Sequence, residues 1–177
     1  MASMSDPREA QRETDLHDFF VARGEFASAF AAVPDSALAY KGASDEYALS
    51  GIVVHLNATI DHYRRVVEGL IDREFKPFAI QPQDPGVEAA HAKRAQSGFA
   101  AGERDEAFAL LEAAHDDFAK SILTVQPQDY ARKVSIIYKT GDAAHDTSPA
   151  DIVGWLTDHY REHVPSVQKM AAAAPAR

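Results

Sequence analysis

Apolar residues recur at steps of three and four along four segments of the chain, which is the period of an amphipathic helix. Prolines and glycines cluster between the segments and separate them. The pattern therefore predicts four main helices. They cover residues 13–33, 44–70, 103–125 and 149–170.

The second segment has the most regular pattern. Ser44 is a favourable N-cap, and Asp45 and Glu46 follow it in the first turn, so we predict that the helix begins there. Its apolar stripe keeps a strict spacing of three and four residues. The stripe consists of Val53, Leu56, Ile60, Tyr63, Val67 and Leu70.

The fourth segment also has a clear start. Ser148 is a typical N-cap, Pro149 suits the first helical position, and Asp151 complements the helix dipole. Pro165 lies further along the same segment, and we expect it to kink or end the helix.

The connections favour a particular bundle. The first is short, whereas residues 75–101 form a long crossover with a short helix near 88–96. The apolar run 134–138 is compatible with a strand, a turn or a short helix. We predict an all-α four-helix bundle in which helices two and three run parallel through the crossover. It is one domain over residues 1–177, with frayed ends at about 1–12 and 171–177.

Composition excludes several function classes. The chain has no cysteine, so it has no disulfide, thiolate ligand or cysteine nucleophile. Its formal charge of −9 opposes nucleic-acid binding. No apolar stretch approaches the roughly 18 residues of a membrane span, and no signal peptide is evident, so we expect a cytoplasmic protein without a nucleic-acid or membrane partner.

Two histidines on the fourth helix suggest a metal site. His159 and His163 are four residues apart, so their Cβ atoms should lie about 5–6 Å apart on one face. They continue the line of Ile152 and Leu156, which points into the bundle. A shared metal ion would satisfy two neutral buried imidazoles. The alternative is a partly exposed pair on the helix flank without a metal.

The second helix carries two further histidines, and they differ in whether they can bind the same ion. His55 borders the apolar stripe near the middle of the helix, where it is either a third ligand or a surface or interhelical hydrogen-bonding residue. His62 lies two turns away, about 10 Å along the axis, so both cannot bind one ion. We expect His62 to be exposed or peripheral.

Two known metal motifs are weaker matches. Residues 159–163 fit the H-x-x-E-H string of inverzincin proteases, but those enzymes are far larger mixed α/β chains. Glu162 is a candidate base, or it orients a ligand, or it is an exposed helical glutamate. Glu112 and His115 form one E-x-x-H element, and di-iron bundles need two. His115 is either a core hydrogen-bonding residue or a group near the metal.

The histidines and their surroundings resemble a family. Residues 52–56, followed by Tyr63 and Arg64, resemble the second-helix motif of the DinB-like superfamily. Residues 151–167 resemble its fourth-helix motif, and Gly141 fits the approach to that helix. The resemblance implies a four-helix bundle, often homodimeric, with one mononuclear site.

In that resemblance the metal ligands are His55, His159 and His163. Three imidazole ligands leave coordination positions open, and zinc, nickel, iron and manganese all suit them. The family includes mycothiol-dependent isomerases and bacillithiol-type S-transferases. The resemblance thus implies a metal-dependent S-transferase that acts on a small molecule with a low-molecular-weight thiol.

Other functions stay open. One is a metal-dependent hydrolase of a small amide or ester, with Glu162 as base. Another is a non-catalytic metal- or ligand-binding stress protein that dimerises. The simplest is a bundle whose histidines only form hydrogen bonds.

Overall fold

The chain is mostly helical and adds one small sheet to its helices. In the computed structural model, which describes residues 6–175, five α-helices and three short strands are joined by turns. The helices are α1 (Pro7–Ala31), α2 (Gly51–Asp72), α3 (Pro85–Ser97), α4 (Arg104–Thr124) and α5 (Pro149–Ala173). The strands are β1 (Phe78–Ala79), β2 (Val134–Ile137) and β3 (His145–Thr147). The predicted, mostly helical character is confirmed, and a small three-stranded sheet accompanies the helices.

Helix α1 begins at Pro7 rather than at residue 13. The Asp6 carboxylate accepts a hydrogen bond of 2.9 Å from the Arg8 amide, and Pro7 suits the first helical position. Arg12 is buried, and its guanidinium donates to the backbone carbonyl of Val125. Residues 7–12 are therefore helical rather than frayed, whereas residues 1–5 and 176–177 lie outside the described part of the chain.

Helix α2 begins at Gly51, so the predicted start at Ser44 is wrong. The Asp45 carboxylate accepts a hydrogen bond of 2.8 Å from the Gly42 amide and thereby closes a turn instead of starting a helix. The Ser50 hydroxyl donates to Leu38 O at 2.6 Å and accepts from the Phe99 amide at 2.7 Å. These bonds join the start of α2 to two loops. The predicted apolar stripe of α2 is buried except for Tyr63, which is half-buried.

The crossover contains α3, as predicted, with an earlier start. The Asp84 side chain accepts from the amides of Gly86 and Val87 at 2.7 and 3.3 Å and caps the helix before Pro85. The apolar run 134–138 forms β2, the central strand. It pairs parallel with β1 from the crossover and antiparallel with β3.

Helix α5 has the predicted start and a longer course than predicted. Ser148 and Asp151 form a reciprocal capping box, with 2.8 Å from the Ser148 amide to the carboxylate and 3.2 Å from the Asp151 amide to the hydroxyl. The helix continues through Pro165, which is exposed, to Ala173. Of the two expectations for Pro165, a kink or an end of the helix, the second is therefore wrong, and residues 171–173 are helical.

Aromatic side chains fill the core between the long helices. Phe19, Phe26, Phe118 and Tyr160 are fully buried, and each such side chain contributes roughly 1.5–3 kcal/mol by leaving water. Helix α1 packs along α5, α2 packs along α4 and α3, and α2 meets α5 along a shorter seam. Among the described residues, no helix combines the length and the apolar character that crossing a membrane requires.

Candidate metal centre

Three histidines meet at the seam between α2 and α5. His55 extends from α2, and His159 and His163 extend from successive turns of α5. One ring nitrogen of each lies within 4.8 Å of the other two. The packing of α2 on α5 thus brings together the residues that the sequence marked as metal ligands.

The ring nitrogens, rather than the ring faces, converge. His55 Nε2 lies 2.9 Å from His159 Nε2, and the three rings stand nearly perpendicular to one another, at 71°, 78° and 74°. Two imidazole nitrogens on a tetrahedral zinc ion lie about 3.3 Å apart, because each Zn–N bond is about 2.0–2.1 Å. Small side-chain adjustments would therefore place the three nitrogens around one divalent ion.

Burial keeps two of the rings neutral. It lowers the pKa of His163 to about 4, and the neighbouring His159 and His55 lower it further. Burial also lowers the pKa of His55, helped by His159 and opposed by Glu46. Neutral imidazole is the form that binds a metal ion.

His163 supplies a direct test of fit. Its Nε2 is buried and has no hydrogen-bond partner among the described residues. A buried nitrogen of this kind normally has a partner, and leaving it without one costs about 1–3 kcal/mol. A divalent ion shared with His55 and His159 would satisfy it, so the donor set fits a metal.

Two neighbours orient the candidate ligands. The Tyr47 ring stacks on His55, with 4.6 Å between centroids and 17° between planes. Glu162 Oε2 lies 3.5 Å from His159 Nδ1, the nitrogen that faces away from the cluster. A carboxylate on the outer nitrogen of a histidine ligand fixes its tautomer. Tyr47 lies in a turn without a recognisable motif, and sequence reasoning missed it.

The cluster opens to solvent on two sides. A groove of about 380 Å³ borders His55 and His159, with Tyr63, Trp155 and Leu156 as its apolar wall. Thr59, Asp158 and Glu162 also line this groove. A smaller depression of about 230 Å³ borders His163 on the side of Tyr47. A ligand can therefore approach the cluster without rearrangement of the helices.

His115 and His62 lie outside the three-histidine cluster. His115 is fully buried on α4, where its ring stacks on Phe19 at 4.1 Å and its Nδ1 lies 3.4 Å from Tyr160 Oη. It is a core residue and not part of the cluster. Its E-x-x-H partner Glu112 points to Arg23, at 3.5 Å. His62 is half-buried and lines a different cavity.

Comparison with known proteins returns nothing similar. No family model matches the chain, and neither the curated proteins nor the solved structures contain a match. What the site does is therefore inferred from its own residues.

Proposed function

We propose that the chain binds one divalent metal ion through His55, His159 and His163. The convergence of three ring nitrogens within 4.8 Å carries this proposal. The partnerless Nε2 of His163 supports it. Three nitrogen ligands leave one or more positions open, which is typical of catalytic rather than structural sites. Zinc, nickel, iron and manganese all accept such a ligand set.

We further propose that the site serves a small-thiol S-transferase of the DinB-like type. The resemblance of the helix-two and helix-four motifs supports this. So does the contact of Ser121 Oγ with Glu68 Oε1 at 3.2 Å, because it makes the C-terminal halves of α2 and α4 neighbours, as in a bundle with parallel second and third main helices. The chain has no cysteine, so the reacting sulfur must belong to a second molecule.

The groove beside the cluster suits both reactants. When bound, a divalent ion lowers the pKa of a thiol that approaches it. The sulfur would form a bond to a carbon of the electrophile, whose leaving group would depart with the proton. Tyr63 and Trp155 offer an apolar wall to the electrophile, and Asp158 of the same groove would accept the proton from the thiol and pass it on.

Hydrolysis of a small amide or ester is the second candidate. The two carboxylates of the groove, Asp158 and Glu162, favour it, because either can take a proton from an attacking water. Glu162 is less suited than Asp158, since its carboxylate lies 3.5 Å from the outer nitrogen of His159, which faces away from the cluster. Turnover without added thiol would distinguish hydrolysis from transfer.

Metal content is the decisive first measurement. Protein purified without a metal column is incubated with zinc, nickel, iron or manganese, desalted, and subjected to elemental analysis. We expect about one ion per chain in the wild type and in His62→Ala, and none in His159→Ala. Equal metal content in all three proteins, or none in the wild type, would overturn the proposed site.

Activity is measured on the loaded protein. An aryl chloride whose thioether product is coloured is offered with glutathione, bacillithiol or mycothiol. Thiol-dependent product that disappears in His159→Ala supports the transferase, and product without thiol from a chromogenic ester supports the hydrolase. Bound metal with neither activity would contradict both and leave a metal-binding protein.

A further inference from the structure

A second cavity lies beyond the metal centre along α2. It has a volume of about 540 Å³ and is larger than the groove beside the histidines. It is lined by His62 and Arg65 of α2, by Ile80 and Gln83 of the crossover, and by Tyr138, which follows β2 directly. His55 is seven residues before His62, so the cavity starts about 10 Å from the cluster.

Arg65 brings a guanidinium group with few hydrogen bonds into this cavity. Its Nε lies 3.3 Å from Asp61 Oδ2 without hydrogen-bond geometry, and that nitrogen is buried. Arg64 holds the other oxygen of Asp61 at 2.6 Å and pairs with Glu68 at 2.6 Å as well, so Asp61 serves both arginines while Arg64 has a second carboxylate of its own. The Nη2 of Arg65 reaches only Gln83 Oε1, at 3.4 Å.

The other polar groups of the cavity also favour an anion. Lys139 lines the rim and has no ion-pair partner among the described residues, and Glu88 is the acidic group among the lining residues. Burial and the neighbouring Arg65 lower the pKa of His62, so its ring is neutral at pH 7 and can donate one hydrogen bond. The lining thus carries two cationic side chains, Arg65 and Lys139, against one carboxylate, Glu88, and Asp61 contacts Arg65 from outside the lining.

Apolar surface faces these cations. Ile80, Pro82 and the Tyr138 ring line the cavity, and the Tyr138 hydroxyl is occupied by a hydrogen bond of 3.1 Å to Thr147 Oγ1. Guanidinium groups match the planar geometry of carboxylates, and apolar walls with a few placed polar groups are typical of small-molecule sites.

We propose that this cavity binds a small organic acid, with its carboxylate on Arg65 and its apolar body between Ile80, Pro82 and Tyr138. The site does not depend on the metal ion or on the proposed transferase activity. A chain that binds no metal would still bind the acid here.

The test uses full-length protein in chelator, so that the metal centre is empty. Benzoate, phenylacetate, octanoate and succinate are titrated in turn by calorimetry or ligand-observed NMR. We expect saturable binding of at least one of the three acids with an apolar body. The matching uncharged amide should bind at least about tenfold more weakly, because a charge-assisted bond to arginine is lost.

Variants locate the site. Arg65→Gln should weaken binding on the order of tenfold, and Lys139→Gln by a smaller factor, since Lys139 is exposed. Arg73→Gln is the control, because Arg73 also belongs to the α2 end but stacks on Phe78 outside the cavity. If circular dichroism shows that Arg65→Gln does not fold, the proposal is tested by the affinity of Lys139→Gln and by the comparison of each acid with its amide. Absence of saturable binding for benzoate, phenylacetate and octanoate, equal affinity for the amide, or an equal loss in Arg73→Gln would overturn the proposal.

Discussion

His55 Nε2 and His159 Nε2 lie 2.9 Å apart, although 104 residues separate them in the chain. Two imidazole nitrogens this close either share one proton or share an ion. With the third nitrogen of His163 within 4.8 Å, one proton cannot serve all three, whereas one divalent ion can.

Added metal should therefore stabilise the folded chain. An ion that binds only the native state raises the free energy of unfolding by about 2.7 kcal/mol at a free concentration of 100 Kd. The melting temperature of chelator-treated protein should rise with zinc or nickel concentration. His55→Ala should abolish this rise and His62→Ala should keep it. A rise of the same size in His55→Ala would show that the ion binds elsewhere.

Replacing His163 by leucine should separate stability from metal binding. Without metal, the buried Nε2 of His163 lacks a partner, so His163→Leu should raise the free energy of unfolding by about 1 kcal/mol. The same variant should take up no ion. Urea unfolding in chelator, together with elemental analysis, checks both effects. A variant that unfolds more easily than wild type without metal would mean that the nitrogen has a partner in solution.

Acid should destabilise the chain through His115. Burial and the neighbouring Arg23 lower its pKa to about 3, against about 6.5 in the unfolded chain, so between these pH values the unfolded state binds the additional proton. The contribution is complete above pH 6.5 and is lost as pH falls. For one such group the loss between pH 7 and pH 5 is up to about 2 kcal/mol.

The variant His115→Phe isolates this effect. Its ring can keep the stacking on Phe19, and it cannot take up a proton. The free energy of unfolding, measured by urea at pH 7 and pH 5 in chelator, should fall less in the variant than in wild type. Equal falls in both proteins would place the acid sensitivity in other groups, such as His163.

Two glycines should respond oppositely to alanine. A Cβ at Gly51 would lie 1.7 Å from Ala95 O, so Gly51→Ala must displace α3 from the start of α2 and should destabilise the chain by several kcal/mol. Gly154 is exposed on α5 with nothing within 4 Å of a Cβ, so Gly154→Ala should stabilise it by about 0.5–1 kcal/mol. The urea midpoint of each variant, compared with that of wild type, measures the change in stability. Similar midpoints would contradict the close approach of α2 and α3.

Local sequence patterns predicted the main helices and two of the three candidate metal ligands. The spacing of three and four residues predicted the buried stripe of α2, and the i, i+4 spacing placed His159 and His163 on one face, because the helical period is a property of neighbouring residues. The N-cap at Ser148 could be predicted for the same reason, because its partner Asp151 is only three residues away.

Features that depend on distant segments were harder to predict. Ser44 has the residue type of an N-cap, but the Asp45 carboxylate accepts a hydrogen bond from the Gly42 amide instead of starting a helix. Helix α2 begins at the point where the Ser50 hydroxyl forms hydrogen bonds with Leu38 and Phe99. Strand β2 pairs with β1 of the crossover, which lies more than 50 residues earlier in the chain. Because a strand depends on its partner, the residues of β2 alone did not decide between a strand, a turn and a short helix. The position of His55 left two roles open, a third ligand or a hydrogen-bonding residue, and only the resemblance favoured the ligand, because nothing local indicates that α2 meets α5 at that turn.

The seam between α2 and α5 has a consequence for a chain without cysteine. An ion held by His55 and His159 would cross-link positions 104 residues apart, as a disulfide does in secreted proteins. In the chain-entropy view, closing a loop of about 100 residues removes roughly 4.7 kcal/mol of unfolded-state freedom. With a redox-inactive ion such as zinc, this cross-link would not depend on the redox state of its surroundings, and a stronger chelator would remove it. The supply of metal would then set the stability of the folded chain.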